Sequence, residues 1–436
     1  MTAAERSKPN RPDARSVAMH VVERVLFDKA YASAALNAEL AKYPQLSSRE
    51  GAFATEMVYT ALRCRRALEA RLSERCPRGL PKDRVVRAAL IVAAAQMLSL
   101  DHASVPVAVD AAVTRVKAAR GPKPAGFVNA LLRQIAAGPP LLMADALRMN
   151  VPDWLYEQLE AEVGHDEADA LLGIREAVRS HSTDVRIRAG RAIPDWLSLA
   201  PAARWLPDVR TVSGLGDLRA LAGWQAGDFV VQEQGAQLIA WALDVPVGAT
   251  VLDVCAGRGQ KTTLLAERVG PSGLVWATDL HSHKLTGLQD ECERLQLANV
   301  KTQAVDWSVG GSTLSKDFQF ALVDAPCTGT GTLYKRPEIL DRLGPTDSGR
   351  MGELAARIVR NVAEHCRTGA QIVYAVCSVL PDEGQHVIER VADILEPIPF
   401  STAPLRSAAG SDACQVRLLP LRHGTDGYFV ANLRKR

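Results

Sequence analysis

The chain after Pro246 alternates short apolar runs with helical segments, and this alternation restricts the fold more than any other feature. The runs are rich in β-branched residues and predict strands at 250–254, 273–278, 300–305, 318–323 and 371–376. Helical spacing predicts helices at 261–269, 284–295 and 353–366. Strands that alternate with helices form a parallel, doubly wound α/β sheet. Two final runs, 415–419 and 427–433, predict a closing antiparallel pair.

The first of these strands leads into a glycine-bearing turn, which reads Cys-Ala-Gly-Arg-Gly-Gln-Lys over residues 255–261. Glycine lets the backbone approach a ligand closely, and the helix start beyond it favours negative charge. A dinucleotide-binding motif needs a third glycine where the chain has Thr262, and a Walker loop needs Gly-Lys where it has Gln260-Lys261. Both phosphate-binding motifs are therefore excluded.

Aspartates follow the next three strands. Asp279 stands roughly 20 residues after the turn, where a carboxylate can accept both hydroxyls of a ribose. Asp306 and Asp324 end the third and fourth predicted strands. A single aspartate in such a place is more often a cap, but the series favours an adenosine-type ligand. Without a diphosphate loop, the sequence predicts S-adenosylmethionine (SAM) rather than NAD or ATP.

Two cysteines also stand at strand ends, Cys327 shortly after Asp324 and Cys377 directly after the strand at 371–376. One buried cysteine is commonly packing, but two on turns beside a methyl-donor site indicate a reaction. Carbon 5 of a pyrimidine is too weak a nucleophile to take a methyl group until a thiolate has added to carbon 6. Asp324 is the candidate that hydrogen-bonds or protonates N3. Spacing alone leaves open which thiol attacks.

Residues 13 to about 137 have helical periodicity throughout, and prolines and glycines divide them into five or six helices. Residues 1–140 hold 22 Lys and Arg against 12 Asp and Glu, a net charge of +10, whereas the rest of the chain carries −7. A solvated helical surface and a phosphate-bearing partner explain this excess about equally well. The central cations are Arg63, Arg65, Arg66, Arg71, Arg75, Arg78, Lys82, Arg84 and Arg87.

These patterns divide the chain into four parts. Residues 1–12 are expected to be disordered, 13–140 to form an all-helical domain, 141–245 a helical and α+β linker domain, and 246–436 the α/β domain. The linker domain should begin with a helix pair that runs from 151 to about 180. It should continue with strands at 184–188 and 228–232 and a helix at 193–203.

Several classes of protein are disfavoured. No apolar run reaches the roughly 18 residues of a membrane helix, and the start of the chain lacks the pattern of a signal peptide. The eight cysteines form no CxxC pair and have no histidine at zinc spacing, so we expect reduced thiols and no metal. We therefore expect a cytoplasmic protein with no membrane or metal partner, and favour a monomer.

Longer motifs carry a family resemblance. Residues 324–331 (Asp-Ala-Pro-Cys-Thr-Gly-Thr-Gly), 374–381 (Tyr-Ala-Val-Cys-Ser-Val-Leu-Pro) and 424–429 (Gly-Thr-Asp-Gly-Tyr-Phe) resemble motifs of the RsmB/Sun family, the small-subunit ribosomal RNA cytosine-C5 methyltransferases of the Nop2/Sun group. Residues 53–59 (Phe-Ala-Thr-Glu-Met-Val-Tyr) and 126–133 (Gly-Phe-Val-Asn-Ala-Leu-Leu-Arg) resemble NusB, an RNA-binding fold.

The resemblance implies a Rossmann-like, SAM-dependent methyltransferase domain that makes 5-methylcytosine in small-subunit (16S) ribosomal RNA. Pro326-Cys327 also resembles the nucleophile motif of DNA cytosine-5 methyltransferases, but the RNA enzymes use the later cysteine. By position, the family makes Cys377 the nucleophile, Cys327 the thiol that helps release product, and Asp324 a contact to donor and base. Lys261 would be a cation beside the base. RNA rather than DNA as partner follows from the family alone. The residues implied to bind SAM are Cys255, Ala256, Gly257, Arg258, Gly259, Gln260, Lys261, Asp279, Asp306 and Asp324.

The chain departs from the family in four places, two of which are single residues: Val376 stands where a Thr usually precedes the nucleophile, and Gly384 stands where Asn is usual. The usual Cys-Ala-Ala-Pro-Gly-Gly-Lys-Thr turn carries Gly257, Arg258 and Gln260 instead of Ala, Pro and Gly, which predicts a weaker or rearranged donor site. Residues 183–188 replace the usual linker strand in a region expected to touch RNA. Two other functions stay open: a 5-methyluridine RNA methyltransferase, which needs the same thiol chemistry, and a non-catalytic RNA-binding ribosome-assembly protein with a decayed donor turn.

Overall fold

The structure, a computed structural model, describes residues 13–100, 104–175, 182–310 and 313–436. They form two compact units. The first contains 13–153 with Leu172–Ile174 and Leu333–Arg342, and the second contains Trp154–Leu171, Arg175–Thr332 and Leu343–Arg436, each within the described residues. The disorder predicted for residues 1–12 and the end of the helix pair predicted near 180 lie outside the described residues.

The first unit is all-helical, as the periodicity predicts. Its core is built on helix α5 (Arg84–Ser99), which is uncharged after Arg87 and packs against α1 (Ala14–Asp28), α3 (Ser48–Arg63), α6 (Val105–Arg120) and α7 (Pro122–Ala136). Between residues 14 and 136 the described residues form seven helices rather than five or six, because α3 gives way to α4 at Cys64, where no proline or glycine marks the break. The helices are α1 Ala14–Asp28, α2 Ala32–Leu40, α3 Ser48–Arg63, α4 Arg65–Ser73, α5 Arg84–Ser99, α6 Val105–Arg120, α7 Pro122–Ala136 and α8 Met143–Asn150.

Side-chain caps begin three of these helices, the first being α1, where Asp13 accepts from the backbone N–H of Ser16. Ser47 accepts from the backbone N–H of Glu50, whose carboxylate accepts from the N–H of Ser47, so α3 begins with a complete capping box. Asp83 accepts from the N–H groups of Val85 and Val86 at the start of α5. Each cap stabilises its helix by about 1 kcal/mol.

The first unit also contains Leu333–Arg342, which follows the Cys327 turn in the chain. The Arg63 guanidinium lies 3.8 Å from the centroid of the Tyr334 ring, and its Nε donates to Tyr334 O at 2.9 Å. Burial lowers the pKa of Arg63, while the aromatic face offsets part of the cost of burying a cation. The buried Glu338 accepts from Ala32 N at 3.1 Å. These contacts make the segment part of the helical core.

The second unit begins with a small antiparallel sheet of β1 Ser182–Ile187, β2 Val209–Ser213 and β3 Phe229–Val231, in the order β2-β1-β3. The strands predicted at 184–188 and 228–232 are confirmed. The helix predicted at 193–203 is wrong, since only Asp195–Leu197 makes a 3-10 turn. Proline at 194 and 201 prevents a longer α-helix because it removes backbone donors and restricts the preceding residue.

The charged side chains Asp184 and Arg186 of β1, and Arg188 directly after it, are bonded inside the unit. Arg186 and Arg188 both form ion pairs with Glu267, and Asp184 accepts from Thr211 Oγ1 at 2.8 Å. Arg186 and Asp184 are only 4% and 3% exposed. The expectations of a half-buried strand and of an RNA-facing segment are therefore wrong for these two side chains.

The large sheet confirms the predicted α/β class, with the order β10-β11-β8-β7-β4-β5-β6 and β9 beside β11. The pairs from β8 through β7, β4 and β5 to β6 are parallel, and β11 runs antiparallel to β8. The predicted closing pair is β10 and β11. The strands are β4 Thr250–Val254, β5 Leu274–Asp279, β6 Val300–Ala304, β7 Phe318–Asp324, β8 Cys366–Val376, β9 Leu395–Pro397, β10 Gln415–Leu418 and β11 Tyr428–Lys435.

Helices cover both faces of this sheet. Along β7, Ala321 and Val323 belong to the core beside α14, whereas Phe320 and Leu322 belong to the core beside α11 and α12. Both faces are apolar, which explains the continuous apolar strand pattern. The remaining helices are α9 Asp153–Val163, α10 His165–Leu172, α11 Gln234–Ala242, α12 Gln260–Val269, α13 Ser282–Arg294, α14 Asp347–Glu364, α15 Gln385–Arg390, α16 Ala403–Ala409 and α17 Pro420–His423.

None of the helices in the described residues combines the length and the apolar character needed to cross a membrane.

Candidate active site

Four parallel strands deliver the candidate residues to one edge. Their order is β5-β4-β7-β8, and the register aligns Val254 with Thr278 on one side and Val323 on the other. Asp324 is the last residue of β7, and Cys255 and Cys377 directly follow β4 and β8. The sheet extends in opposite directions from β4, through β5 on one side and β7 on the other. Open α/β sheets bind ligands at such a switch point.

The turn after β4 depends on left-handed backbone. Cys255, Gly257 and Gly259 have φ values of 60°, 61° and 83°. A Cβ at Gly259 would lie 1.9 Å from Leu288 Cδ1, so this glycine is required by packing. A Cβ at Gly257 would meet only Cys255 O, at 3.9 Å, so that side of the turn is open. The turn is thus rigid at Gly259 and accessible at Gly257.

The residues that depart from the family turn point outward. The side chains of Arg258 and Gln260 are exposed. Gln260 O accepts from Gln232 Nε2 at 3.0 Å, which ties the start of α12 to the segment after β3. The weaker or rearranged donor site remains a prediction.

Asp279 and Asp306 differ in their surroundings. Asp279 is buried, and its two oxygens accept from Gly257 N at 3.0 Å and His281 N at 2.9 Å. A carboxylate has about four acceptor positions, so these bonds leave capacity for a ligand. Asp306 lies two residues beyond the end of β6, not at the strand end as expected. Hydrogen bonds from Ser308 lower the pKa of Asp306, so it acts as a turn cap.

A buried acid beneath the turn was missed by the sequence reasoning. Asp253 is fully buried in β4, and its Oδ2 accepts from Thr262 Oγ1 at 2.5 Å. In the part of the chain that the structure describes, Asp253 Oδ1 has no hydrogen-bond partner. Burial raises the pKa of Asp253 to about 7. The sequence does carry a signal for this residue, because Asp253 is an acidic side chain inside an otherwise apolar predicted strand.

Lys261 and Asp324 form an ion pair across neighbouring strands. Lys261 Nζ donates to Asp324 Oδ2 at 2.6 Å, and the two side chains are 13% and 29% exposed. Burial opposes the charged form of Lys261, but the attraction of Asp324 outweighs burial and raises the pKa of the lysine. Attraction to the Cys377 thiolate adds to this rise. The ammonium therefore interacts with both Asp324 and the predicted nucleophile.

The two predicted reactive thiols touch. Cys327 Sγ lies 3.3 Å from Cys377 Sγ, and both side chains are partly exposed. The hydrogen bond to Cys377 and burial raise the pKa of Cys327 well above its usual value. Cys327 is thus held as a thiol that can donate to Cys377. The structure brings together Cys327, Cys377, Asp324 and Lys261, as the sequence predicts, and leaves Asp306 in its own turn.

Six of the nine cations in the basic cluster of the first unit fall into two groups. Arg65 pairs with Glu69 and Asp341, Arg84 with Glu23 and Asp28, and Arg87 with Glu69. The side chains of three others, Arg75, Arg78 and Lys82, are exposed, and no ion pair joins them to another described residue. These three are the part of the cluster best suited to a phosphate-bearing partner.

Two family models match parts of the chain. Residues 240–434 match the family described as 16S rRNA methyltransferase RsmB/F, and residues 12–137 match the NusB family. Ribosomal RNA small subunit methyltransferase B of Xanthomonas campestris pv. campestris is 30% identical over 433 residues, which cover 92% of this chain and 93% of that protein. The chain belongs to the RsmB/Sun family. The chain is therefore a methyltransferase, and its family is that of the SAM-dependent methyltransferases of small-subunit ribosomal RNA.

A second relative and a solved structure also match this chain over most of its length. The ribosomal RNA small subunit methyltransferase B of an Enterobacter species is 28% identical and covers 90% of this chain and 92% of its own. The crystal structure of PH0851 superposes with a TM-score of 0.81 at 22% identity, over 98% of this chain and 100% of that one. At this identity the superposition shows a shared fold over nearly the whole chain.

Proposed function

We propose that this RsmB/Sun family member transfers a methyl group to carbon 5 of a cytosine in small-subunit ribosomal RNA, through a covalent bond between Cys377 and carbon 6. The observation that carries this proposal is the 3.3 Å contact between Cys327 Sγ and Cys377 Sγ, beside the Lys261–Asp324 ion pair. Methyl transfer to oxygen or to an exocyclic nitrogen does not require two thiols. Carbon 5 of a pyrimidine does require a nucleophile on carbon 6.

The donor side of the edge fits SAM. When bound, SAM supplies an electrophilic methyl group. Asp279 has acceptor capacity for ribose hydroxyls, and the open side of Gly257 allows close approach to the backbone. Asp253 Oδ1, buried and without a partner among the described residues, offers an acceptor beneath the same turn. The other proposed donor contacts are Cys255, Ala256, Arg258, Gly259, Gln260 and, less directly, Asp306.

On the target side, each residue has a distinct role. Cys377 Sγ adds as a thiolate to carbon 6, and electron density moves into the ring. When the base is bound, Asp324 carries a proton on the oxygen that Lys261 does not hold, and it donates this proton to N3 as electron density moves into the ring, while the Lys261 cation stabilises the developing negative charge. Carbon 5 then becomes nucleophilic enough to accept a methyl group.

Release requires that carbon 5 lose its proton to a base and that the bond between carbon 6 and Cys377 Sγ break. Cys377 then departs as a thiolate. Cys327, held as a thiol in contact with Cys377 Sγ, donates a hydrogen bond that stabilises this leaving group. We propose that Cys327 acts after methyl transfer, and that Arg75, Arg78 and Lys82 contribute to RNA binding.

Cysteine variants test this assignment with purified protein, labelled SAM and ribosomal RNA. C377A should abolish methyl transfer, and unchanged turnover would refute the role of Cys377. C327A should slow release and accumulate a protein–RNA adduct that survives denaturing electrophoresis. C414S is the matched control, since Cys414 lies far along the chain in the turn before β10 and should leave the rate unchanged.

Two measurements separate the remaining functions. Nucleoside analysis of the product distinguishes 5-methylcytosine from 5-methyluridine. Calorimetry with SAM addresses the non-catalytic alternative, because absence of binding at millimolar SAM would favour an assembly protein. Bisulfite sequencing of ribosomal RNA with and without the gene would identify the modified nucleotide.

A further inference from the structure

Outside the residues proposed to touch base or donor, one buried carboxylate contacts both cysteine turns. Glu383 is 0% exposed and lies in the 3-10 turn Pro381–Glu383. One oxygen accepts from Thr328 N at 2.6 Å, and the other accepts from Thr328 Oγ1 at 2.6 Å and Ser378 Oγ at 2.5 Å. Thr328 directly follows Cys327, and Ser378 directly follows Cys377.

Other hydrogen bonds close the same network. Thr330 Oγ1 lies 2.9 Å from Ser378 Oγ, and Gly331 N donates to Cys377 O at 3.0 Å. Glu383 is itself fixed because its backbone oxygen accepts from the buried Tyr374 hydroxyl at 2.5 Å. The carboxylate is therefore the acceptor that both turns share, and the backbone bond between the turns is a second link.

We propose that Glu383 is a positioning residue for methyl transfer: its carboxylate holds the Cys327 and Cys377 turns at the separation that keeps the two thiols in contact. The inference rests on the proposed cysteine mechanism and adds a residue that does not touch the base. Release depends on a contact between Cys327 and the departing Cys377 thiolate, so a shift of about 1 Å between the turns can cost roughly a hundredfold in rate.

The charge of Glu383 has a second effect. Burial raises the pKa of Glu383, but three donated hydrogen bonds favour its carboxylate form. Its negative charge is one of the causes that raise the pKa of Cys327. Glu383 thus favours the protonated form of Cys327 while it holds that thiol against Cys377. A loss of fold stability alone should change the reactivity of all buried cysteines, whereas removal of this charge should change that of Cys327 in particular.

The test compares E383Q with D382N in the full chain. The amide introduced by E383Q would keep the size and one acceptor oxygen but lose the charge and one acceptor position. Asp382 is the matched control because it is the neighbouring acid, and its carboxylate binds Ser348 and His386 rather than the cysteine turns. S378A is a second variant that removes the bond from Ser378 Oγ to Glu383 together with the contacts of this hydroxyl to Thr330 Oγ1 and Leu380 N. It keeps the charge of Glu383 and tests the contact if E383Q does not fold.

Two readouts are required. The first is single-turnover methylation with trapping of the protein–RNA adduct, for which E383Q should lower the rate roughly ten- to hundredfold with little change in the RNA concentration at half-saturation. The second is alkylation of Cys327 by iodoacetamide as a function of pH, followed by peptide mass spectrometry. Because E383Q removes a negative charge, Cys327 should become reactive at lower pH than in the wild type.

The outcomes distinguish the two proposals. A slowed E383Q with a shifted Cys327 profile, beside a normal D382N, supports the positioning role. Wild-type rate and alkylation profile in E383Q, or equal losses in E383Q and D382N, would overturn it. If the wild type makes no 5-methylcytosine or C377A remains active, the proposed function fails, and the alkylation profile still decides whether Glu383 controls Cys327.

Discussion

The Lys261–Asp324 ion pair predicts an asymmetric response to charge removal. Lys261 Nζ and Asp324 Oδ2 are 2.6 Å apart, but the lysine is 13% exposed and the aspartate 29%. D324N leaves a mostly buried ammonium without its closest carboxylate. K261M leaves a carboxylate that water can still reach. We therefore expect D324N to destabilise the protein more than K261M.

The magnitudes follow from the burial. Removal of one partner of a fully buried pair costs about 3–5 kcal/mol, and exposed pairs contribute about 0–1 kcal/mol. For this partly buried pair we expect D324N to lower the free energy of unfolding by about 2 kcal/mol and K261M by about 1 kcal/mol. The double variant should be less destabilised than the sum, because it leaves neither charge unpaired.

The assay is a double-variant cycle in urea at neutral pH, combined with single-turnover methylation. D324N should lower the methylation rate by roughly 10²–10⁴-fold if the carboxyl group acts on the base. The double variant should recover stability but not activity. That combination separates the structural role of the ion pair from its role in the reaction.

The exposed pair Arg360–Asp393 provides the control cycle and should show much weaker coupling, since both side chains reach water. When two substituted residues do not interact, the changes that they cause in the free energy of unfolding add within about 0.3–0.5 kcal/mol. If the free-energy changes of K261M and D324N sum to that of the double variant within this range, the two charges are not coupled. If D324N also retains the wild-type methylation rate, Asp324 has no role at the base.

Three further predictions use other sites. D253N should unfold at higher urea than the wild type at pH 8 and converge with it below about pH 4, because burial raises the pKa of Asp253 to about 7 and its ionisation costs stability as pH rises. R63A should expose Leu333–Arg342 to trypsin, whereas R84A, which alters a cation elsewhere in the helical unit, should not. Burial lowers the pKa of His423 to about 4, so stability should fall as pH drops from 6.5 to about 4, and a H423N variant should flatten that dependence in urea titrations.

The fold was largely predictable because its signals are local. Each strand from β4 to β8 is a buried apolar run, and the helices between them have their own periodicity, so the parallel order and the shared edge followed. The helix predicted at 193–203 does not form because the prolines at 194 and 201 outweigh the helical spacing of its apolar residues. The count of helices failed at Cys64, where the break has no sequence marker.

The candidate site was predictable only in part. Strand ends located Asp279, Asp324 and both cysteines, because the carboxyl ends of parallel strands share one edge. Ion pairs within the basic cluster could not be foreseen, since Arg84 and Glu23 meet only after folding. Glu383 was missed for the same reason: nothing in its neighbourhood in the sequence shows that its carboxylate reaches residues 328 and 378.

The altered donor turn raises the question of whether this chain has become a non-catalytic RNA-binding protein. Several features of the sheet edge at the candidate active site argue against that alternative. Each of them lowers the stability of the fold and improves no packing. Asp253 buries a carboxyl group with one oxygen that has no partner among the described residues, and Cys255 holds a left-handed φ of 60°. Lys261, with a side chain only 13% exposed, places an ammonium beside Asp324 and Cys377. Apolar residues would stabilise the same sheet edge at less cost, so the combination is better explained by a site that still binds a donor and a base.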